Sequence, residues 1–245
     1  IRIVFDDAAG TVVSMRRLDG DHEYVRHEVS HSLFRLTTLR EGEKGKKEWP
    51  PGRILSTVVR DEPDGKTMTI EAEGCGGGGI PVDVKMTVEL PADGEEIVWK
   101  MDVHNRSEDH RVVEVLFPLV KGIALGDRHE DDVIVYPHHA GEKTVNPAER
   151  YASDQYLKFW RAESRKEHDY FYREINYCGL ASMTWMYLYD EENGLYVGSH
   201  DPRFPVTGLR VETGGPSAPW MGFGFRKYAT IRPGHSWHSH EYVFA

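Results

Sequence analysis

Cysteine is scarce in this chain: Cys75 and Cys178 stand far apart and neither has a partner cysteine nearby. That excludes a disulfide framework and a cysteine-built zinc site, and it leaves the compartment undecided. Long hydrophobic runs are missing too. A membrane-spanning helix needs about 20 apolar residues, and charge interrupts every stretch well before that length. The first residues, Ile1-Arg2-Ile3-Val4-Phe5, read as a strand rather than as the charged-then-apolar pattern of a leader. Positive charge is in short supply, with 30 Lys+Arg against 40 Asp+Glu and a formal net charge of −10. The basic runs Lys44 to Lys47 and Arg161 to Lys166 are interleaved with Glu43, Glu48, Glu163 and Glu167. They read as solvated faces rather than the basic stripe a nucleic-acid binder requires. Nor is there a Gly-x-Ser-x-Gly elbow, a His-Glu-x-x-His helix or a dinucleotide fingerprint, which removes the usual hydrolase, zinc-protease and dehydrogenase routes.

What is present is alternation. The 245 residues are 39% hydrophobic and 29% charged, enough for a large core without staples. Val82, Val84, Met86, Val88 and Leu90 alternate with Asp83, Lys85, Thr87 and Glu89, so one set faces a core and the other water. Pro91-Ala92-Asp93-Gly94 then leads to the same pattern in Ile97, Trp99, Met101 and Val103, a hairpin. Asn193-Gly194 signals a second, between Met183 to Tyr189 and Leu195 to Gly198. Further strands are expected at Thr11 to Leu18, Tyr24 to Val29, Leu33 to Thr38, Ile54 to Val59, Thr67 to Ala72, Val112 to Phe117, Val133 to Tyr136, Leu209 to Thr213, Met221 to Ile231 and Trp237 to Phe244. The best helix candidate is Asp154 to Glu167 with Ser153 as cap, although the same stretch suits an aromatic-rich strand. No linker or 20-to-50-residue repeat interrupts the chain. The expectation is one all-β domain, residues 1–245, built of two large antiparallel sheets packed face to face. Its strand-like ends further suggest a domain cut from a longer polypeptide.

The candidate chemical motifs have bland counterparts. Gly74-Cys75-Gly76-Gly77-Gly78-Gly79 lacks the Lys-Ser/Thr and following helix of a phosphate loop and reads as a connection. His235, His238 and His240 put two imidazoles on one strand face, the start of a metal site that needs further ligands. Asp127, His129, Glu130, Asp131 and Asp132 crowd one loop as a calcium site would, without EF-hand spacing, and a solvated acidic loop explains them as well. No cofactor is called for. His138 and His139 follow Pro137 in a loop, where polar aromatics suggest ligand contact. Trp160, Trp220 and Trp237 sit beside polar or turn residues and offer flat faces to sugar rings, against the competing reading that they fill the core, as Trp99 does.

Three stretches together resemble a known family. Val103-His104-Asn105-Arg106-Ser107 followed by Val113 to Pro118 and Gly122-Ile123 is similar to a run in galactose-mutarotase-like supersandwich domains attached to bacterial glycoside hydrolases. Met183 to Asp190 with Gly194 to Asp201 resembles the signature of the amino-terminal domains that precede barrel catalytic domains in such enzymes. The ending, Ile231 to Gly234 and Tyr242 to Phe244, is similar to the last strands of that superfamily. The resemblance implies a two-sheet antiparallel supersandwich with little helix. It also implies a non-catalytic role, packing against a catalytic barrel of the same polypeptide and completing its substrate cleft. The partners implied are thus carbohydrate and a catalytic domain, with neither nucleic acid nor membrane. Contact with carbohydrate is expected from His138, His139, Trp160, His200, Asp201 and Trp220.

The rival implied by the same resemblance is a stand-alone aldose 1-epimerase. Glu212 in Arg210-Val211-Glu212-Thr213 stands where the mutarotase base would be. The acid does not follow: Leu116-Phe117-Pro118-Leu119 replaces the family's histidine-bearing stretch, and His200 is a candidate substitute from another strand, one that its spacing does not single out. A third class, a polysaccharide-lyase supersandwich, would follow an α-helical toroid that this sequence does not contain, and a purely structural interaction module is a further alternative.

Overall fold

The computed structural model describes residues 1–6, 10–18, 22–29, 32–92, 94–155, 164–167, 170–203 and 205–245. A hairpin of β1 (Arg2–Asp6) and β2 (Thr11–Arg16) comes first, then β3 (Arg35–Arg40), β4 (Lys47–Trp49), β5 (Arg53–Glu62), β6 (Gly65–Glu73), β7 (Val82–Pro91), β8 (Ile97–Asn105), β9 (His110–Ile123), β10 (Val133–Tyr136) and β11 (Glu142–Val145). Helix α1 (Pro147–Ala152) precedes β12 (Ser164–Glu167), β13 (Tyr170–Tyr177), β14 (Trp185–Tyr189), β15 (Gly194–Ser199), β16 (Thr207–Thr213), β17 (Met221–Lys227), β18 (Ser236–His238) and β19 (Tyr242–Phe244). Ten strands make one sheet, ordered β11-β10-β14-β15-β19-β8-β7-β6-β5 with β18 beside β8. Seven make the other, ordered β12-β13-β16-β17-β9-β3-β4. The fold is all-β, and every strand pair in it is antiparallel.

Alternation determines the faces. β7 pairs with β8 in the register Val84 to Val103, Met86 to Met101 and Val88 to Trp99, and all six side chains are buried, as the period-two pattern predicts. Each such apolar side chain contributes about 1.5–3 kcal/mol on leaving water. The two layers meet through aromatic rings: Trp99 packs on Phe117 at 6.5 Å between centroids, Phe117 on Tyr242 at 5.7 Å, and Tyr242 on Phe225 at 5.3 Å. The Tyr136 hydroxyl crosses the core to donate to the Leu209 carbonyl at 2.7 Å.

Several elements depart from expectation. Tyr24 to Val29 is no strand; Val25 only bridges Ile123. β13, which the pattern did not announce, pairs with β16 over its whole length. The expected strand Trp237 to Phe244 is two pieces, β18 and β19, and Met221 to Ile231 ends at Lys227. The expected helix Asp154 to Glu167 fails at its end, where β12 runs; residues 156–163 lie outside the described residues. The helix instead is α1, where Asn146 accepts the Glu149 N–H at 3.3 Å and Pro147 needs no partner at the first turn. Ser153, the expected start, ends it. The Asn193-Gly194 turn is not a two-residue hairpin loop, since β14 and β15 pair Tyr189 with Gly194 across residues 190–193. The Asp190 carboxylate accepts the N–H groups of Glu192 at 2.7 Å and Asn193 at 2.6 Å, and this side-chain turn takes the place of positive φ.

Candidate functional site

The seven-stranded sheet turns an unusual face away from the core. Val211, Phe223 and Phe225 point inward, so alternation sends Arg210, Glu212, Gly222, Gly224 and Arg226 outward. There they meet Glu174 of β13, Glu114 and Lys121 of β9, Arg35 of β3 and Glu48 of β4. Arg226 donates to Glu174 at 2.8 Å, to Glu114 at 2.9 Å and to Glu48 at 3.1 Å. Arg210 donates to Glu174 at 3.2 Å and through Nε to Glu212 at 2.5 Å, and its guanidinium lies 3.8 Å from the Tyr172 ring centroid. Arg35 reaches Glu48 at 3.1 Å and the Tyr170 hydroxyl at 3.0 Å. The glycines make room: a Cβ on Gly222 would stand 3.0 Å from the Lys121 stem.

Glu212 is the centre of this network and is fully buried. One carboxylate oxygen takes the Arg210 bond; the other contacts the Lys121 ammonium, itself 4.3 Å from the Tyr170 ring centroid. Burial alone would raise the Glu212 carboxyl, but the cations of Arg210, Lys121 and Arg35 outweigh it and hold it at about 2. Lys121 is shifted down, because burial exceeds what Glu212 returns. A carboxylate so stabilised is a poor proton acceptor near neutrality. Among the described residues no histidine pairs with Glu212, Lys121 or Arg210. His200 lies on the other sheet, exposed, with its Nε2 3.1 Å from the Tyr196 hydroxyl. The structure therefore does not bring Glu212 and His200 together.

The remaining sequence candidates scatter. His138 is interior rather than in an open loop: it is buried, 3.3 Å from Glu142, which also accepts from Arg173 at 2.8 Å. Burial, then Arg173 and His139, lowers its basicity. His139 is exposed and stacks on His138 at 4.2 Å. Asp201 is buried beside Lys227 at 3.6 Å and His240 at 3.5 Å; burial pushes the Lys227 ammonium down to about 8. Lys227 pairs with Thr207 at one end of β16 and β17, whereas Trp220 is buried at the other, past the Thr213–Met221 pair and 5.7 Å from Lys121. Trp160 lies outside the described residues. The candidates thus do not form one cluster.

The candidate cation ligands diverge as well. His238 pairs with Asp102 at 2.6 Å while His240 faces Asp201, so the two imidazoles do not converge. Asp127 is exposed against Arg26 at 2.9 Å, and Asp131 is exposed. Asp132 is buried, and burial with Asp190, Asp131 and Glu130 nearby raises its carboxyl to about 7. Among the described residues no three acidic, histidine or cysteine side chains group to hold a metal ion.

Sequence reasoning missed the charged face itself. Its signal was available as Gly208-x-Arg210-x-Glu212 and Gly222-x-Gly224-x-Arg226, an alternation that places charge and glycine, instead of small polar residues, on the outward positions of neighbouring strands.

No family model matches the chain, and neither does any curated protein. Solved structures do. An α-N-acetylgalactosaminidase from Bifidobacterium bifidum, NagBb, in complex with Gal-NHAc-DNJ, aligns with 99% of this chain at TM-score 0.65 and 12% identity. The chain spans 34% of that protein's length. A galactose mutarotase related enzyme from Lactobacillus acidophilus aligns with 99% of this chain and 93% of its own at TM-score 0.56 and 13% identity. A TPR-domain containing protein from Parabacteroides distasonis aligns with 97% of this chain and 44% of its own at TM-score 0.59 and 10% identity. At these identities the likeness is one of fold, and that fold is the galactose-mutarotase-like β-supersandwich.

Proposed function

We propose that the chain is a non-catalytic, carbohydrate-associated supersandwich domain of a glycoside hydrolase, packing against a catalytic barrel outside this chain and completing its substrate cleft. The observation that carries this reading is the state of Glu212. By sequence resemblance it stands where a mutarotase base would be, yet it is sealed from solvent and held by Arg210 and Lys121. The match to about a third of NagBb fits a domain of a larger enzyme. Residues 1–245 are, on this reading, one domain. The test is direct: the purified chain should neither change the optical rotation of fresh galactose or glucose faster than buffer nor release nitrophenol from nitrophenyl glycosides. Fused or mixed with its catalytic domain, it should stabilise that domain. Catalysed mutarotation abolished by Glu212→Gln would overturn the proposal.

A second reading has one observation in its favour. The Lactobacillus acidophilus enzyme spans nearly the same extent as this chain, which suits a stand-alone aldose 1-epimerase with Glu212 as base. Such an enzyme would have to open the charged face and supply an acid other than His200.

A further inference from the structure

The outer face of the ten-stranded sheet is divided. Along β7 and β8 it carries Asp83, Lys85, Glu89, Lys100, Asp102 and His104, an ordinary solvated surface. Across β14 and β15 the same face carries Trp185, Tyr187, Tyr189 and Tyr196. These side chains point away from the core, since Met186, Leu188, Leu195 and Val197 take the inward positions. Two of the rings lie along the sheet. A Cβ on Gly194 would clash with the Tyr187 hydroxyl and stand 2.8 Å from its ring, and one on Gly198 would clash with the Tyr196 hydroxyl. Glycine is therefore required beneath the outer ends of the Tyr187 and Tyr196 rings. Tyr187 and Tyr189 stack at 5.5 Å with 22° between planes; Trp185 and Tyr196 sit at 6.3 Å and 30°. Polar groups frame the row, with Lys143 5.4 Å from the Tyr189 ring centroid and His200 bonded to the Tyr196 hydroxyl. A cavity of about 290 Å³ lies beside its end, walled by Gly194, Tyr24 and Glu95 and largely by apolar side chains such as Met15, Ile97 and Phe244.

We infer that this aromatic row is a binding site for a neutral oligosaccharide. A pyranose offers a C–H face that stacks on an aromatic ring while its hydroxyls project sideways to hydrogen-bonding groups, and flat rings edged by donors and acceptors meet both demands. Rings at neighbouring outward positions of β14 and β15 can contact more than one sugar of a chain. The row's one framing ammonium is seated on an aromatic ring, and Asp190, Glu191 and Glu192 border it at the β14–β15 turn. That surrounding disfavours an anionic polysaccharide. The site rests on the carbohydrate-associated reading and adds a surface that the carbohydrate contacts expected from sequence, apart from His200, do not include.

The test is affinity electrophoresis of the chain in gels containing galactomannan, xyloglucan or arabinoxylan, with polygalacturonate as the anionic comparison. Retardation by at least one neutral glycan is expected, weakened tenfold or more by Trp185→Ala and by Tyr187→Ala. Tyr187→Phe should keep binding, Gly194→Val should lift the ring and lose it, and Lys85→Ala on the charged half should change nothing. Circular dichroism and melting temperature establish that each variant is folded. No retardation by any of the three neutral glycans, or equal retardation of the ring variants, overturns the site. If the ring variants instead lose only their association with the catalytic domain, the row is a protein interface and the accessory-domain reading stands without it. If glycan binding depends on the rings while the chain also catalyses mutarotation, the site stands and the non-catalytic reading falls.

Discussion

The two outer faces of this sandwich solve opposite problems. On the seven-stranded sheet, charge is buried and closed: Arg226 alone satisfies three carboxylates, and Glu212 is held from both sides. On the ten-stranded sheet around β14 and β15, aromatic surface is left half-exposed, with Tyr187 retaining 36% of its accessibility. The contrast separates a face whose charges are paired with one another from a face whose aromatic rings remain at the surface. Titratable residues mark the first, and it is the poorer place for a ligand, because a newcomer must displace internal partners before it gains any of its own.

The largest effect should come from opening the closed face. Glu212→Gln leaves Lys121 and Arg210 buried with their shared carboxylate gone and is expected to cost about 3–5 kcal/mol in denaturant unfolding. The double variant with Lys121→Met should recover part of that loss, and strict additivity of the two would break the picture of a coupled network. Acid sharpens the same point. The native Glu212 carboxyl titrates at about 2, below its ordinary value of 4.5, so its stabilisation is complete above pH 4.5 and disappears as pH falls from there toward 2. Unfolding curves of Glu212→Gln should lack that part of the acid dependence.

A smaller effect, opposite in sign, is expected at Asp132. This carboxyl is buried with no cation among its influences, and one of its oxygens has no hydrogen-bond partner among the described residues. Its native value of about 7 lies above the ordinary 3.8, so the native state holds the proton longer and the carboxyl costs stability as pH rises from about 4 through 7. Asp132→Asn should therefore raise the melting temperature at pH 8 and have its advantage shrink to nothing below pH 4. Two buried carboxylates in one sandwich, shifted in opposite directions, differ in whether a cation stands beside them. The smallest effect belongs to the aromatic row: Tyr187→Ala, at an outward position, should change unfolding free energy by under about 1 kcal/mol. A loss of several would mean that the ring is packing rather than available surface.

How much of this was legible beforehand differs between the same two faces. The β7–β8 hairpin, the burial of Trp99 and the two-layer all-β architecture followed from alternation, because a period of two commits every second side chain to a core. β13 was illegible for the complementary reason. Its inward set includes Arg173, which is buried and reaches Glu142 beneath Tyr136, so polarity did not track exposure along that strand. The candidate site fared likewise. Glu212 was identified from its neighbours in sequence, but of the cations that decide its basicity only Arg210 is near it in the chain; Lys121 and Arg35 come from β9 and β3 and reach it only across the sheet. His138 and His200 looked equivalent as loop histidines, and packing buried one against Glu142 and left the other on Tyr196.

By itself, then, the sequence determined the strand period and the β7–β8 hairpin with its inward set, since hydrophobic patterning acts through near neighbours in the chain. Only the tertiary structure decided which charges neutralise one another, which histidines are interior and which aromatic rings remain at the surface. Those outcomes depend on Coulomb and contact interactions over a few ångströms between strands far apart in the chain, and such distances exist only once the register is set.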